Sequence, residues 1–194
     1  MPEPTISLVQ SFQAKYESLA GKVLVVHSSE ELVQALFQIV QEKEARRVAT
    51  ADLPGPLLQA LKDLGVGRQV EILSPPYPRN QLPQAINEAK IGISFVEFAI
   101  AETGTIVECA TNDETRLVSS LPDVHVAILT SEQIVETLDE AAPVMRAFFE
   151  VQEKGATITF ISGPSRTGDI EMRLTLGVHG PKESYVVVIE EQDI

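Results

Sequence analysis

The thirty residues "KVLVVHSSEELVQALFQIVQEKEARRVATA", Lys22 to Ala51, decide the fold class. "KVLVVHS" (22–28) is a short, continuous apolar run, as expected of a strand buried on both faces. Ser28 and Glu31 then have the spacing of a capping box. Behind them Leu32, Leu36, Ile39 and Val40 recur at a helical period. "RRVATA" (46–51) starts a second strand. Strand, helix and strand in so short a span imply parallel strands joined by a crossover helix.

The pattern continues outward. Residues 4–19 read as an N-terminal helix, set apart as a segment 1–20 from a single α/β domain over 21–194. "DLPGPLLQALKDLG" (52–65) is a helix expected to end at Gly65, and "QVEIL" (69–73) a strand. A proline-rich loop leads to a short helix, "QAINEAK" (84–90). "IGISFVEFAIAETGTIVECAT" (91–111) reads as a strand, a bend and a hairpin turning at Thr103-Gly104. "VHVAILT" (124–130) is a buried strand, followed by a capping box from Thr130 to Gln133. The helix beyond it, to Glu150, is expected to break near Pro143. "TITFI" (157–161) and "SYVVVIE" (184–190) are two more buried strands. Together these predict a three-layer α/β fold whose sheet is mostly parallel, with a locally antiparallel part at the hairpin.

Composition narrows the function. The formal net charge is −13, from 15 Lys and Arg against 28 Asp and Glu, so there is no basic footprint for nucleic acid. No apolar run is long enough for a membrane span, and the first residues lack the order of a signal peptide. The expectation is a soluble cytoplasmic protein. A single cysteine, Cys109, cannot form an internal disulfide or hold an iron–sulfur cluster, and its apolar setting predicts a buried, inert thiol. Three scattered histidines give no metal-ligand spacing. His27 and His125 are read as structural.

Three stretches could carry chemistry. In "ISGPSRTGDIE" (161–171), Gly163 and Gly168 have the spacing of a phosphate-binding loop. Asp169 and Ile170 stand where that loop needs Lys and Ser or Thr, which excludes a nucleotide loop of that kind. Strand, loop and helix still suit an anion, with Arg166 as a bidentate donor and Ser162, Ser165 and Thr167 as hydroxyls. Thr167 capping a helix whose first turn holds Asp169 and Glu171 accounts for the same pattern, and both readings stand. In "AETGTI" (101–106), Glu102 is either an acid, base or nucleophile at a strand end or a solvated turn residue. His179 in "GVHGP" (177–181) is either an acid–base group or a turn histidine.

Taken together, "FAIAETGTIV", "RLVSSLPDVHVAIL", "SGPSRTGDIE" and "GVHGP" resemble the LUD-domain family, in its lactate utilization protein C branch, over roughly residues 88–190. The resemblance implies a fold similar to CoA transferases, ribose-phosphate isomerases and glucosamine-phosphate deaminases. It implies a role in bacterial oxidation of L-lactate to pyruvate, as one subunit beside iron–sulfur partner proteins. The clusters would sit on those partners, with no cofactor on this chain. The family motif falls on Glu102, Thr103, Gly104 and Thr105, on Arg116, on Ser162, Gly163, Ser165, Arg166, Thr167, Asp169 and Glu171, and on His179 and Gly180. The expectation is a small-anion site at the C-terminal ends of sheet strands. There Arg116 and Arg166 clamp a carboxylate such as lactate, or a phosphate-bearing ligand, and Glu102 or His179 takes a proton. Two alternatives remain: a non-catalytic assembly subunit, or a stand-alone enzyme acting on an acyl-CoA or sugar phosphate, with Glu102 as acyl acceptor.

Overall fold

The computed structural model describes residues 7–80, 82–151, 155–167, 175–176 and 179–190, with backbone alone at 166–167 and 175–176. In chain order the elements are α1 (Leu8–Ser18), β1 (Lys22–Val26), α2 (Ser29–Glu42), β2 (Arg47–Ala51), α3 (Gly55–Arg68) and β3 (Glu71–Leu73). Next come α4 (Leu82–Asn87), β4 (Ile91–Phe95), β5 (Phe98–Ile100), β6 (Thr105–Ala110), α5 (Asp113–Ser120) and β7 (Val124–Thr130). A 3-10 turn (Ser131–Gln133) leads to β8 (Ile134–Val135), α6 (Leu138–Val151), β9 (Thr157–Ile161), β10 (Arg166–Thr167), β11 (Thr175–Leu176) and β12 (Glu183–Ile189).

The main sheet has six strands in the order β1-β12-β7-β4-β2-β3, and every pair in it is parallel. The period of two along each strand sorts its side chains between two layers. Val126, Ile128, Val187 and Ile189 face Leu32, Leu36, Leu57 and Leu61 of α2 and α3. Ala127, Leu129, Val186 and Val188 face the other way, onto Phe12 and Tyr16 of α1 and onto a second sheet. Farther along that face, α4 and α5 cover Ala49 and Ala51 through Ile86 and Val118. This is the expected three-layer α/β architecture with a largely parallel sheet.

The antiparallel part forms a sheet of its own, in the order β8-β5-β6-β9. The β5–β6 hairpin pairs Ile100 with Thr105 across its turn, as the sequence predicts. Ile106 points into the layer shared with α1, and Val107 points to the opposite side, where Ala141 and Met145 of α6 cover it.

Several elements differ from expectation. α3 continues through Gly65 to Arg68 and stops at Gln69, which takes the left-handed conformation. α6 runs unbroken through Pro143, although the ring gives up its N–H bond and crowds the Asp139 carbonyl; packing of the helix on the second sheet offsets that cost. Among the described residues β9 is an edge strand bonded only to β6, and Phe160 is 51% exposed, so "TITFI" is half-buried rather than buried. α5 was not anticipated, although Asn112 caps it by accepting from the Thr115 N–H at 2.9 Å, with Asp113 and Glu114 in its first turn. Arg166–Thr167 is extended and pairs antiparallel with Thr175–Leu176, while the helix expected after it falls outside the described residues.

Candidate functional site

The motifs of the second half meet where the second sheet abuts the main one. β9 lies antiparallel to β6, so Ser162, just past β9, comes beside Thr105 at the start of β6, and their hydroxyls are 2.8 Å apart. Gly163 follows at φ +88°, and a Cβ there would stand 2.6 Å from the Leu19 carbonyl oxygen. The loop can therefore lie on the end of α1 only as glycine. Tyr16 of α1 reaches the same place. Its hydroxyl hydrogen-bonds Ser184 Oγ at 2.5 Å and the Gly163 backbone, and burial pushes its pKa up to about 12. The Ser165 N–H donates to the Pro181 carbonyl at 2.9 Å, tying the "SGPS" loop to "HGP".

These loops close on a cavity of about 380 Å³. Ser162, Gly163, Ser165, His179 and Gly180 form one wall. Ser119 and Ser120 of α5, with His125 and Ser184 from the main sheet, form the other. The lining is rich in neutral hydroxyls. His179 is exposed and stands at the rim. β7 and β12 contribute residues from their first turns of sequence, so the cavity lies toward the N-terminal ends of the parallel strands. That corrects the expected crevice at their C-terminal ends. The loops follow strands of the second sheet instead.

Two buried groups lie here that the sequence reading did not select. His125 has no exposure; its Nε2 is 2.9 Å from Ser94 Oγ, and among the described residues its Nδ1 has no hydrogen-bond partner. Burial pushes its pKa down to about 4, so the ring is neutral near pH 7. Behind the cavity, Ser119 Oγ donates to Glu108 Oε1 at 3.0 Å. Glu108 is 1% exposed, its Oε2 has no partner among the described residues, and burial, with a smaller effect from Asp52, pushes its pKa up to about 7. A polar residue inside an otherwise apolar strand, as in "VHVAILT" and "IVECA", was the available signal. Cys109, next to Glu108, packs against the α6 layer, and burial pushes its thiol up to about 11, away from reactivity.

Other motif residues lie elsewhere. Glu102 follows β5 at the hairpin turn with Thr103 and Gly104, and its carboxylate accepts from the Leu138 N–H at 2.9 Å, capping α6 outside the cavity lining. Arg116 pairs with Asp113 on the exposed side of α5 and lines a separate cavity with Arg79, so it does not join the Ser162–Ser165 loop. The backbone of Arg166 and Thr167 continues from the cavity wall as β10, while Asp169 and Glu171 lie outside the described residues. A larger apolar groove, about 660 Å³, runs between α2 and α3 beside Phe37 and Leu64 and contains none of the motif residues. Among the described residues no three His, Cys, Asp or Glu side chains gather as a metal site, and no helix is long and apolar enough to cross a membrane.

Comparison with known proteins bears on the whole chain. A lactate utilization protein C from Halalkalibacterium halodurans is 33% identical over 162 residues, covering 83% of this chain and 70% of that protein. Those from Macrococcus caseolyticus and Geobacillus thermodenitrificans are 44% and 40% identical over 107 and 111 residues. These two matches span only 46% and 45% of the relatives' length. The crystal structure of a DUF162 family protein from Deinococcus radiodurans superposes with a TM-score of 0.67 over 94% of this chain and 96% of that one, at 23% identity, and shares the fold. The LUD domain pattern matches residues 9–189, nearly all the elements described above, and the chain belongs to the LUD-domain family.

Proposed function

We propose that this chain works in the oxidation of L-lactate to pyruvate, as a cytoplasmic subunit beside iron–sulfur partner proteins, and that its 380 Å³ cavity holds a small carboxylate. One observation carries the reading: kinship with lactate utilization protein C over 83% of the chain. The geometry supports it, because the "SGPS" and "HGP" loops wall a single cavity of hydroxyl donors. Oxidising lactate removes two electrons and two protons. In this proposal the partners' clusters take the electrons, and this chain contributes the carboxylate site. Arg166, next in the chain after Ser165, is the cationic anchor.

The test is a mild pull-down of the tagged chain from its source's cytosol, with the eluate assayed for dye-linked L-lactate oxidation. Iron–sulfur proteins together with activity are expected. In a direct titration, Arg166→Ala should weaken L-lactate binding by about tenfold or more, the loss of a charge-assisted hydrogen bond. Absence of both partners and activity would overturn the lactate reading. Partners and activity without lactate binding to this chain would make it an assembly subunit.

A further inference from the structure

The two walls of the cavity differ in what their hydroxyls can offer. Ser119 and Ser120 close α5 and line the cavity, Ser120 exposed and Ser119 with 5% of its surface open. A serine hydroxyl has one proton and two lone pairs. Ser120 Oγ donates to the Arg116 carbonyl at 2.5 Å, the bond a helical serine makes to the turn before it. Ser119 Oγ lies 3.0 Å from Glu108 Oε1 and 3.1 Å from the same carbonyl. With Glu108 ionised, the Ser119 proton goes to one of those two acceptors. With Glu108 protonated, the carboxyl proton can take one Ser119 lone pair, and the Ser119 proton then goes to the Arg116 carbonyl. In each case both serine protons are used within the wall, and each serine keeps a lone pair. Turning the Ser119 proton toward a ligand would strip an ionised Glu108, whose Oε2 already lacks a partner among the described residues, of its donor. The α5 wall therefore accepts. On the loop wall, Ser165 is half-buried, and its hydroxyl has no hydrogen-bond partner among the described residues, so its proton is free to donate.

We infer that α5 reads the hydroxyl of a small hydroxycarboxylate: Ser119 and Ser120 accept a hydrogen bond from it, while Ser165 donates to the carboxylate. The inference rests on the proposed carboxylate site and sets the class and orientation of the ligand there. The reverse orientation would press the carboxylate on two oxygens with no proton to give, with the Glu108 carboxyl behind them. A keto acid meets the same obstacle, because its keto oxygen would face lone pairs where a hydroxyl proton fits. Oxidation of the hydroxyl to a ketone removes the proton that α5 holds, so the wall binds the reduced ligand and loosens its hold on the oxidised one.

The experiment is isothermal titration of the full chain with L-lactate, pyruvate and propionate, three carboxylates of similar size that carry a hydroxyl, a keto oxygen and neither. L-lactate should bind about tenfold tighter than the other two, the worth of one good hydrogen bond. Ser119→Ala with Ser120→Ala, checked for intact folding by circular dichroism, should bring the three affinities together by weakening L-lactate and leaving propionate as it was. Should the double variant not fold, Ser120→Ala alone decides, since that side chain is exposed and alanine suits a helix; it should narrow the preference for L-lactate. Pyruvate or propionate binding as tightly as L-lactate overturns the inference and spares the carboxylate site. A preference for L-lactate that survives in the serine variants overturns it too. If no carboxylate binds, the inference falls with the carboxylate site, while the pull-down still judges the lactate reading.

Discussion

Glu108, hydrogen-bonded to Ser119, and His125, bonded to Ser94, pull the pH dependence of stability in opposite directions. Glu108 has its folded pKa raised from 4.5 to about 7, so its contribution is fully present below pH 4.5 and is lost as pH rises through 7. His125 has its folded pKa lowered from 6.5 to about 4, so its contribution is present above pH 6.5 and is lost as pH falls through 4. Each shift corresponds to about 3 kcal/mol, and between pH 4.5 and 6.5 the two slopes oppose each other. Glu108→Gln removes one of them. Urea unfolding at stepped pH should show the variant gaining about 3 kcal/mol relative to the parent between pH 4.5 and 7. A difference that does not change with pH would mean that the carboxyl group does not titrate in that window. Neither residue could be found from spacing. Each is one polar position in an apolar strand, and its role comes from neighbours distant in sequence: Ser94 for His125, Ser119 for Glu108.

At the scale of elements, Glu102 shows how a motif residue can serve the scaffold. Its carboxylate adds to the N-terminal cap of α6, accepting from the Leu138 N–H while Thr137 Oγ1 accepts from the Glu140 N–H. Glu102→Ala should lower stability by about 0.5–2 kcal/mol, as loss of an N-terminal cap does, and leave carboxylate affinity unchanged in a binding titration. Loss of affinity without loss of stability would restore Glu102 to the ligand site. The strands and helices of the main sheet were legible because their signals are local. Leu32, Leu36, Ile39 and Val40 declare α2, and Ser28 caps it, accepting from the Glu31 N–H at 3.1 Å. The Glu31 carboxylate reaches back one residue farther than expected, to the His27 N–H. The hairpin of the second sheet was also legible, but its separation from the main sheet was not, since nothing local in "ISFVEFAI" says which sheet each half joins. α5 was missed because its segment is polar, with a buried face limited to Thr115, Val118 and Ser119. The close packing of that helix has its own sequence mark: a Cβ on Gly92 of β4 would fall 2.0 Å from the Val118 carbonyl oxygen.

At the scale of the whole molecule, α1 is a structural part of the body. Phe12 and Tyr16 are fully buried, stacked with ring centroids 5.4 Å apart, and share a core with Val186, Val188 and Ile106. Removing residues 1–19 would strip that face and uncover the back of the cavity loop at Gly163. The expected result is a chain that binds a hydrophobic dye and loses its sharp thermal transition, measured by dye fluorescence and calorimetry. A sharp transition in the shortened chain would show that the rest of the domain folds alone. The strand order has a temporal side. Among the described residues β1 bonds only to β12, and Lys22 sits beside Tyr185. On a translating ribosome, β1 therefore waits for a strand made much later. Until residues 183–189 emerge, β1 has no neighbour and β7 has one bare edge. β1 carries an unsatisfied edge through most of that synthesis, β7 adds a second once residue 130 is made, and the parallel sheet closes in a single late step.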